Sequence, residues 1–234
     1  MNARRTRRSG HFSPELFTFL RQLERNNNRA WFEKNRDRYI ELGRDPMLEF
    51  IEDLAPRLLA ISKRLVVDPR PVGGSMFRIY RDVRFSKDKR PYKTAVTARF
   101  PHDAGKNVHV PGYYLHLGTD GVYMASGIWH PDAAALLKIR KAIVRGPEKW
   151  KKSLPRKALA KTHALTGDTL QRPPRGFDAD HPRIEDLKRK DYITVASLDE
   201  RAACAPDFLG VFAKLCRETE PFVRFHAEAL GLRW

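Results

Sequence analysis

The spacing of apolar residues changes near residue 64, and that change limits the architectures open to this chain more than any other feature. Before it, Leu16, Phe19, Leu20 and Leu23 recur at helical spacing. Ser13, Pro14 and Glu15 ahead of them suit a cap, a first helical position and the positive end of the helix dipole. The asparagines at 26–28 should stop that helix. A second helix would carry Trp31, Phe32, Asn35, Tyr39 and Leu42 on one face. A third opens at Asp45-Pro46 and runs through Met47, Phe50, Ile51, Leu54, Leu58 and Ile61, with a kink or break expected at Pro56. After residue 64, short β-branched or aromatic runs take over at 65–67, 76–80, 94–100, 113–118 and 122–128.

Thr119-Asp120-Gly121 is a hairpin signal between the last two runs, and 101–112 has turn composition throughout. Helical spacing returns at Leu136, Ile139 and Ile143 and closes at Gly146-Pro147. Residues 148–163 read as short basic helical pieces, 164–182 as a loop and 192–197 as one more strand. From 207 to 230 the pattern is helical, with a break expected at Pro221. Helices, then strands, then helices point to an α+β fold rather than to alternating βαβ units. We expect an antiparallel sheet of four to six strands flanked by N-terminal and C-terminal helices. With 234 residues, 41% of them hydrophobic, the chain suits one core: a single globular domain over 11–234 behind a basic disordered tail at 1–10.

The net charge is +17, and it is unevenly placed. Segment 76–94 holds seven basic and two acidic residues, net +5, and segment 134–190 holds sixteen and six, net +10. By contrast 11–75 is nearly balanced, with eleven basic and ten acidic residues. Two concentrated blocks favour an anionic partner over a uniformly solvated basic surface, because clustered cations gain from displacing the counterions of phosphates. The 2 cysteines, Cys204 and Cys216, form no CxxC pair, which fits a reducing compartment. No apolar run follows the basic N-terminus, and none approaches membrane-spanning length, so a cytoplasmic location is expected.

Common catalytic fingerprints are missing. There is no GxxxxGK[ST], GxGxxG, HExxH or GxSxG, and neither cysteine sits in a recognisable nucleophile signature. The histidines are scattered, so no metal site is expected, and no cofactor is evident. What stands out is the run 78–94, RIYRDVRFSKDKRPYKT. If Phe77 and Ile79 face the core, Arg78 and Tyr80 point the other way, and Ser86-Lys87-Asp88-Lys89 turns the chain back toward Tyr92-Lys93-Thr94. Such an excursion could bring Arg78, Arg81, Arg84, Lys89 and Lys93 to one side, where guanidinium forks and ammonium groups bind phosphate or carboxylate. Asp82 and Asp88 could each hold an arginine. Asp82 could instead be a general base or a metal ligand, and the whole set is open as an Arg–Asp network pinning a loop.

The spacing of Arg78, Arg81, Asp82, Arg84, Phe85, Asp88, Lys89 and Tyr92 resembles the signature of domain of unknown function 2461, a conserved hypothetical protein family of bacteria and fungi. Phe19-Leu20, Asn27 through Trp31-Phe32, Tyr114-x-His116, Gly127 to Pro131, 172–177, His181-Pro182 and Leu187-Lys188 extend the likeness over about residues 12 to 232. The resemblance implies one family domain and no particular activity, substrate or catalytic residue.

Other positions qualify for a site. His116 shares a strand face with Tyr114 and is either a hydrogen-bonded structural residue or an acid/base near the arginine run. Trp129-His130 precedes a helix start, and Arg175 sits on a stiff Pro-rich loop. Trp31 and Trp150 read as packing residues. The leading expectation is an anion-binding domain whose ligand carries phosphate or carboxylate, held by Arg78, Arg81, Arg84, Lys89, Tyr92, Lys93 and Arg175. The alternatives are an enzyme on a small phosphorylated substrate using Asp82 or His116, a sequence-nonspecific nucleic-acid binder, and a scaffold. Oligomeric state is not legible.

Overall fold

A computed structural model describes residues 10–105, 110–155 and 163–234. Residues 1–9 of the tail expected at 1–10, and residues 156–162 of the basic stretch 148–163, lie outside the described residues. Helix α1 (Pro14–Arg25) buries Leu16, Phe19, Leu20 and Leu23 together with Phe17, and it ends at Asn26 as expected. The second helical segment is broken up. Helix α2 (Arg29–Lys34) is capped by Asn28, α3 (Arg36–Tyr39) follows, and a π-helical turn over Ile40–Arg44 leads into α4 (Asp45–Leu59). Helix α4 stays helical through Pro56, contrary to the expected break. Pro56 is exposed three residues from the helix end, so the carbonyl it leaves unpaired one turn back faces water rather than the core.

Among the described residues the sheet has five antiparallel strands: β1 (Ala95–Pro101), β2 (Gly112–Gly118), β3 (Gly121–Ile128), β4 (His163–Thr166) and β5 (Tyr192–Leu198), in the order β1-β2-β3-β5-β4. Strand β4 falls at the start of the stretch read as loop, because four residues with no alternating pattern carry little strand signal. The β2–β3 hairpin turns on Thr119-Asp120, and Gly121 takes a φ of +141 that side-chain-bearing residues avoid. Residues 65–67 and 76–80 are not strands. They run beside β1 through isolated bridges, Leu65 to His102 and Met76 to Ala98, and single backbone bonds such as Val66 to Pro101 and Phe77 to Thr97, while Tyr80 bridges to Tyr92 outside the sheet. Met76 and Ile79 are both buried, an odd spacing that a strand forbids, and Phe77 turns out of the core instead of into it.

The C-terminal half supplies α5 (Ala133–Arg145), α6 (Pro147–Ser153), α7 (Ile184–Leu187), α8 (Glu200–Cys204), α9 (Phe208–Glu218) and α10 (Glu220–Ala229). The α9–α10 break falls at Thr219, with Pro221 in the first turn of α10. No helix among the described residues is long and apolar enough to cross a membrane.

Strand alternation divides the sheet sharply. Val96, Ala98, Phe100, Leu115, Leu117, Val122, Met124 and Ala196 face a core filled by α1, α4 and α9. Ile128 and Tyr192 continue that face under α5, α6 and α10, where Trp150 is fully buried and donates its indole N–H to Asp186 at 2.8 Å. The fold is therefore helices on one side of a sheet. The other side carries Thr97, Arg99, Tyr114, His116, Tyr123, Ala125, Ile193 and Val195, and none of the described helices covers it.

Candidate functional site

The uncovered sheet face and the segment 76–94 together enclose a cavity of about 870 Å³, within the range that holds small ligands. Its floor is the outward row Thr97, Arg99, Tyr114, His116, Tyr123 and Ala125, and Phe77, Tyr92, Lys93, Val110 and Trp129 contribute walls. Registration makes this row a cluster: Thr97 lies opposite His116, Arg99 opposite Tyr114, and His116 opposite Tyr123.

The segment 76–94 is a loop excursion closed at its neck by backbone hydrogen bonds. Arg81 donates its backbone N–H to Pro91 at 2.8 Å, and Lys93 donates to Ile79 at 2.7 Å. One asparagine anchors that neck to the helical layer. Asn27 accepts from the Tyr92 N–H and donates to the Tyr92 carbonyl, each at 3.0 Å. Phe32 stacks on the Tyr92 ring at 4.0 Å. Lys93 is thereby held beside the cavity with its ammonium 5.1 Å from the Phe77 ring centroid, a favourable cation–π distance.

Two kinds of cation reach the cavity. Arg81 and Arg90 share one carboxylate: Asp88 accepts from Arg81 at 2.7 Å and from Arg90 at 2.7 Å, with the Arg90 backbone N–H adding a bond at 3.0 Å. Those bonds, Arg90 first, hold the Asp88 carboxyl well below the usual carboxylate range. Lys93 and Arg99 have no carboxylate partner among the described residues. Burial lowers the pKa of both, helped at Lys93 by the charge of Arg78. The cavity wall thus carries Arg81, Arg90, Lys93 and Arg99 against Asp88 and Asp120, an excess of positive charge in a partly desolvated space.

The remaining polar groups form a chain. The Tyr114 hydroxyl meets His116 Nδ1 at 3.2 Å, and His116 Nε2 meets Asp120 Oδ1 at 2.8 Å. Tyr123 stacks flat on the imidazole at 4.5 Å. Burial pushes Tyr114 up to about 12, and burial followed by the charge of Asp120 raises Tyr123.

Of the residues expected from sequence, Arg81, Tyr92, Lys93 and His116 line the cavity. The five cations do not converge. Arg84 turns outward, pairing with Asp82 at 2.7 Å with both side chains exposed, and Asp82 is absent from the cavity wall. Lys89 donates to the Val83 carbonyl at 3.0 Å, which closes the loop tip on itself. Arg78 is exposed and acts on the cavity only through its charge, and Arg175 sits on an exposed loop outside the lining. Sequence reasoning missed Arg90, Arg99, Thr97, Tyr114 and Tyr123 as cavity residues. For Thr97, Arg99, Tyr114 and Tyr123 the signal was the polar alternation inside apolar strands, which became a site only once the strand register was known, whereas Arg90 lies in the loop of the 78–94 run itself.

None of the described residues of the second basic block, 134–190, lines this cavity. Helices α5 and α6 pack on the opposite face of the sheet, Arg140 is spent on the carbonyls of Leu187 and Arg189, and Lys149 pairs with Glu228. Among the described residues, no group of three or more His, Cys, Asp or Glu is placed to hold a metal ion.

A one-sided α+β sheet with a cationic, aromatic-lined cavity defines the class of protein. A family model described as "Conserved hypothetical protein (DUF2461)" matches residues 15–225, and the chain belongs to that family. No curated protein and no solved structure matches it.

Proposed function

We propose that this domain binds a small molecule carrying a phosphate or carboxylate next to an apolar or aromatic body. The observation that carries the reading is the pair Lys93 and Arg99, both on the cavity wall and neither matched by a carboxylate among the described residues. Holding unpaired cations where burial lowers their pKa costs free energy, and a bound anion would return it. Aromatic surface from Phe77, Tyr114, Tyr123 and Trp129 gives the body of the ligand something to pack on. The cavity has room for one compact ligand, and α5 and α6 of the basic block pack behind the sheet, so a small anion accounts for the charge of the cavity better than a continuous nucleic-acid track.

The test is titration with 1-naphthyl phosphate followed by calorimetry and by the fluorescence of Trp129, which lines the cavity and is 63% exposed. Saturable binding of one equivalent is expected. Arg99→Ala and Lys93→Ala should each weaken it roughly ten- to a hundredfold, the effect of losing about 1.5–3 kcal/mol from a charge-assisted contact. Lys149→Ala should change nothing. Equal affinity in all of these variants would remove the assignment.

A further inference from the structure

We infer that Tyr114, His116 and Asp120 form a proton relay that makes the Tyr114 phenol the reacting nucleophile of an enzyme site. Its substrate would be an activated, ester-type electrophile bearing an anionic group. Only the anionic part of this inference rests on the binding role given to Lys93 and Arg99.

Geometry gives the relay its direction. The Asp120 carboxylate accepts from His116 Nε2 at 2.8 Å, which leaves Nδ1 as the acceptor for the Tyr114 hydroxyl at 3.2 Å. A hydroxyl, a base and a group that orients the base therefore stand in series, the arrangement that activates a nucleophile. Tyr114 lines the cavity, and its pKa near 12 means that the phenol keeps its proton at rest. Such a hydroxyl reacts only if a base in contact takes the proton as the new bond forms, and His116 is in contact.

A second, independent observation concerns Gly118. Its backbone is not in the left-handed region, so no turn geometry calls for glycine there. A Cβ at that position would collide with two atoms in particular, His116 Nε2 and Asp120 Oδ1. The strand end is bare where the histidine–carboxylate contact passes over it. The flat stack of Tyr123 on the imidazole then fixes the ring plane.

Reactivity toward sulfonyl fluorides tests this without knowledge of the substrate. The phenolic oxygen bonds to sulfur, the S–F bond breaks, fluoride leaves, and the phenol proton passes to His116 Nδ1 and then to solvent. Two probes are used, neutral phenylmethanesulfonyl fluoride and anionic 4-(fluorosulfonyl)benzoate, with adducts located by peptide mass spectrometry. Tyr114 should be modified on the order of a hundredfold faster than Tyr80, as general-base assistance of this kind provides, although Tyr80 is 48% exposed. His116→Gln should bring Tyr114 down to or below the rate of Tyr80. Asp120→Asn should slow it severalfold, with partial recovery in Asp120→Glu.

Gly118→Ala guards against a folding artefact. The two atoms its methyl meets most closely are side-chain ends that can swing aside, so this variant should fold while breaking the relay and slowing Tyr114. Labelling of Tyr114 no faster than Tyr80, rates indifferent to His116 and Gly118, or adducts on Lys93 in place of Tyr114 would each overturn the inference. If His116-dependent labelling occurs but the anionic probe has no advantage and Lys93→Ala changes nothing, the relay stands and the anion assignment fails. If 1-naphthyl phosphate binds through Lys93 and Arg99 while Tyr114 is unreactive, the opposite holds.

Discussion

Replacing Asn27 by alanine should loosen the cavity without replacing any residue that lines it. The Asn27 side chain satisfies both backbone groups of Tyr92, and Tyr92 is only 3% exposed. Truncation leaves a buried N–H and a buried C=O without partners, each costing about 1–3 kcal/mol. Asn27 is itself only half-buried, so water can enter behind the shortened side chain. We therefore expect the lower part of the summed range, about 2–3 kcal/mol. The Phe32–Tyr92 stack survives the change and is worth about 0.5–1.5 kcal/mol beyond its buried area, too little to offset the loss but enough to keep the ring in place. The variant should fold and melt roughly 5–10 °C lower, as follows for a chain of this size. Asn27→Asp keeps the acceptor for the Tyr92 N–H but has no donor for its carbonyl, and should fall between wild type and Asn27→Ala. Because Lys93 is the next residue, affinity for 1-naphthyl phosphate should fall in the same order. Denaturant titration with parallel calorimetry checks both effects. A stability for Asn27→Ala within about 0.5 kcal/mol of wild type, the level of an ordinary surface change, would refute the claim that this one amide anchors the neck of the excursion to the helical layer.

Two further outcomes follow from the packing. His226 is fully buried, and burial lowers its pKa to about 4. The unfolded chain, near the ordinary value of 6.5, takes up the proton first, so stability is complete above about pH 6.5 and falls by about 3 kcal/mol as pH drops toward 4; denaturation midpoints across that window should lose most of this slope in His226→Gln. Gly127 has a φ of +115, and a Cβ there would strike the Tyr192 carbonyl and the Phe222 ring; Gly127→Ala should cost at least about 2 kcal/mol by thermal melting.

The architecture was largely legible because it depends on periodicity. Leu16 to Leu23 declared α1, Tyr113 to Leu117 declared β2, and the order of such segments is the α+β statement itself. The errors arose where period carries no information. His163–Thr166 is too short to alternate, and 76–80 is held by isolated bridges, with its bridge partner Tyr92 fixed by Asn27, 65 residues away. The same physics explains the partial success at the site. Charge density located Arg81 and Lys93, but not the outward turn of Arg84 onto Asp82, which is a two-residue local pairing. Arg99 and Tyr114 were visible as polar residues on alternating strands, yet their meeting is a property of strand register. Asp120 was read as part of a turn, and its role became apparent only when the turn placed it against His116.

The central claim, an anion site built on Lys93 and Arg99, is tested most directly by a crystal structure of the protein grown with 1-naphthyl phosphate. The account predicts phosphate oxygens within hydrogen-bond reach of the Lys93 ammonium and the Arg99 guanidinium, with the naphthyl ring against Tyr123 or Trp129. An empty cavity, with the ligand found instead along the basic surfaces of α5 and α6, would contradict it.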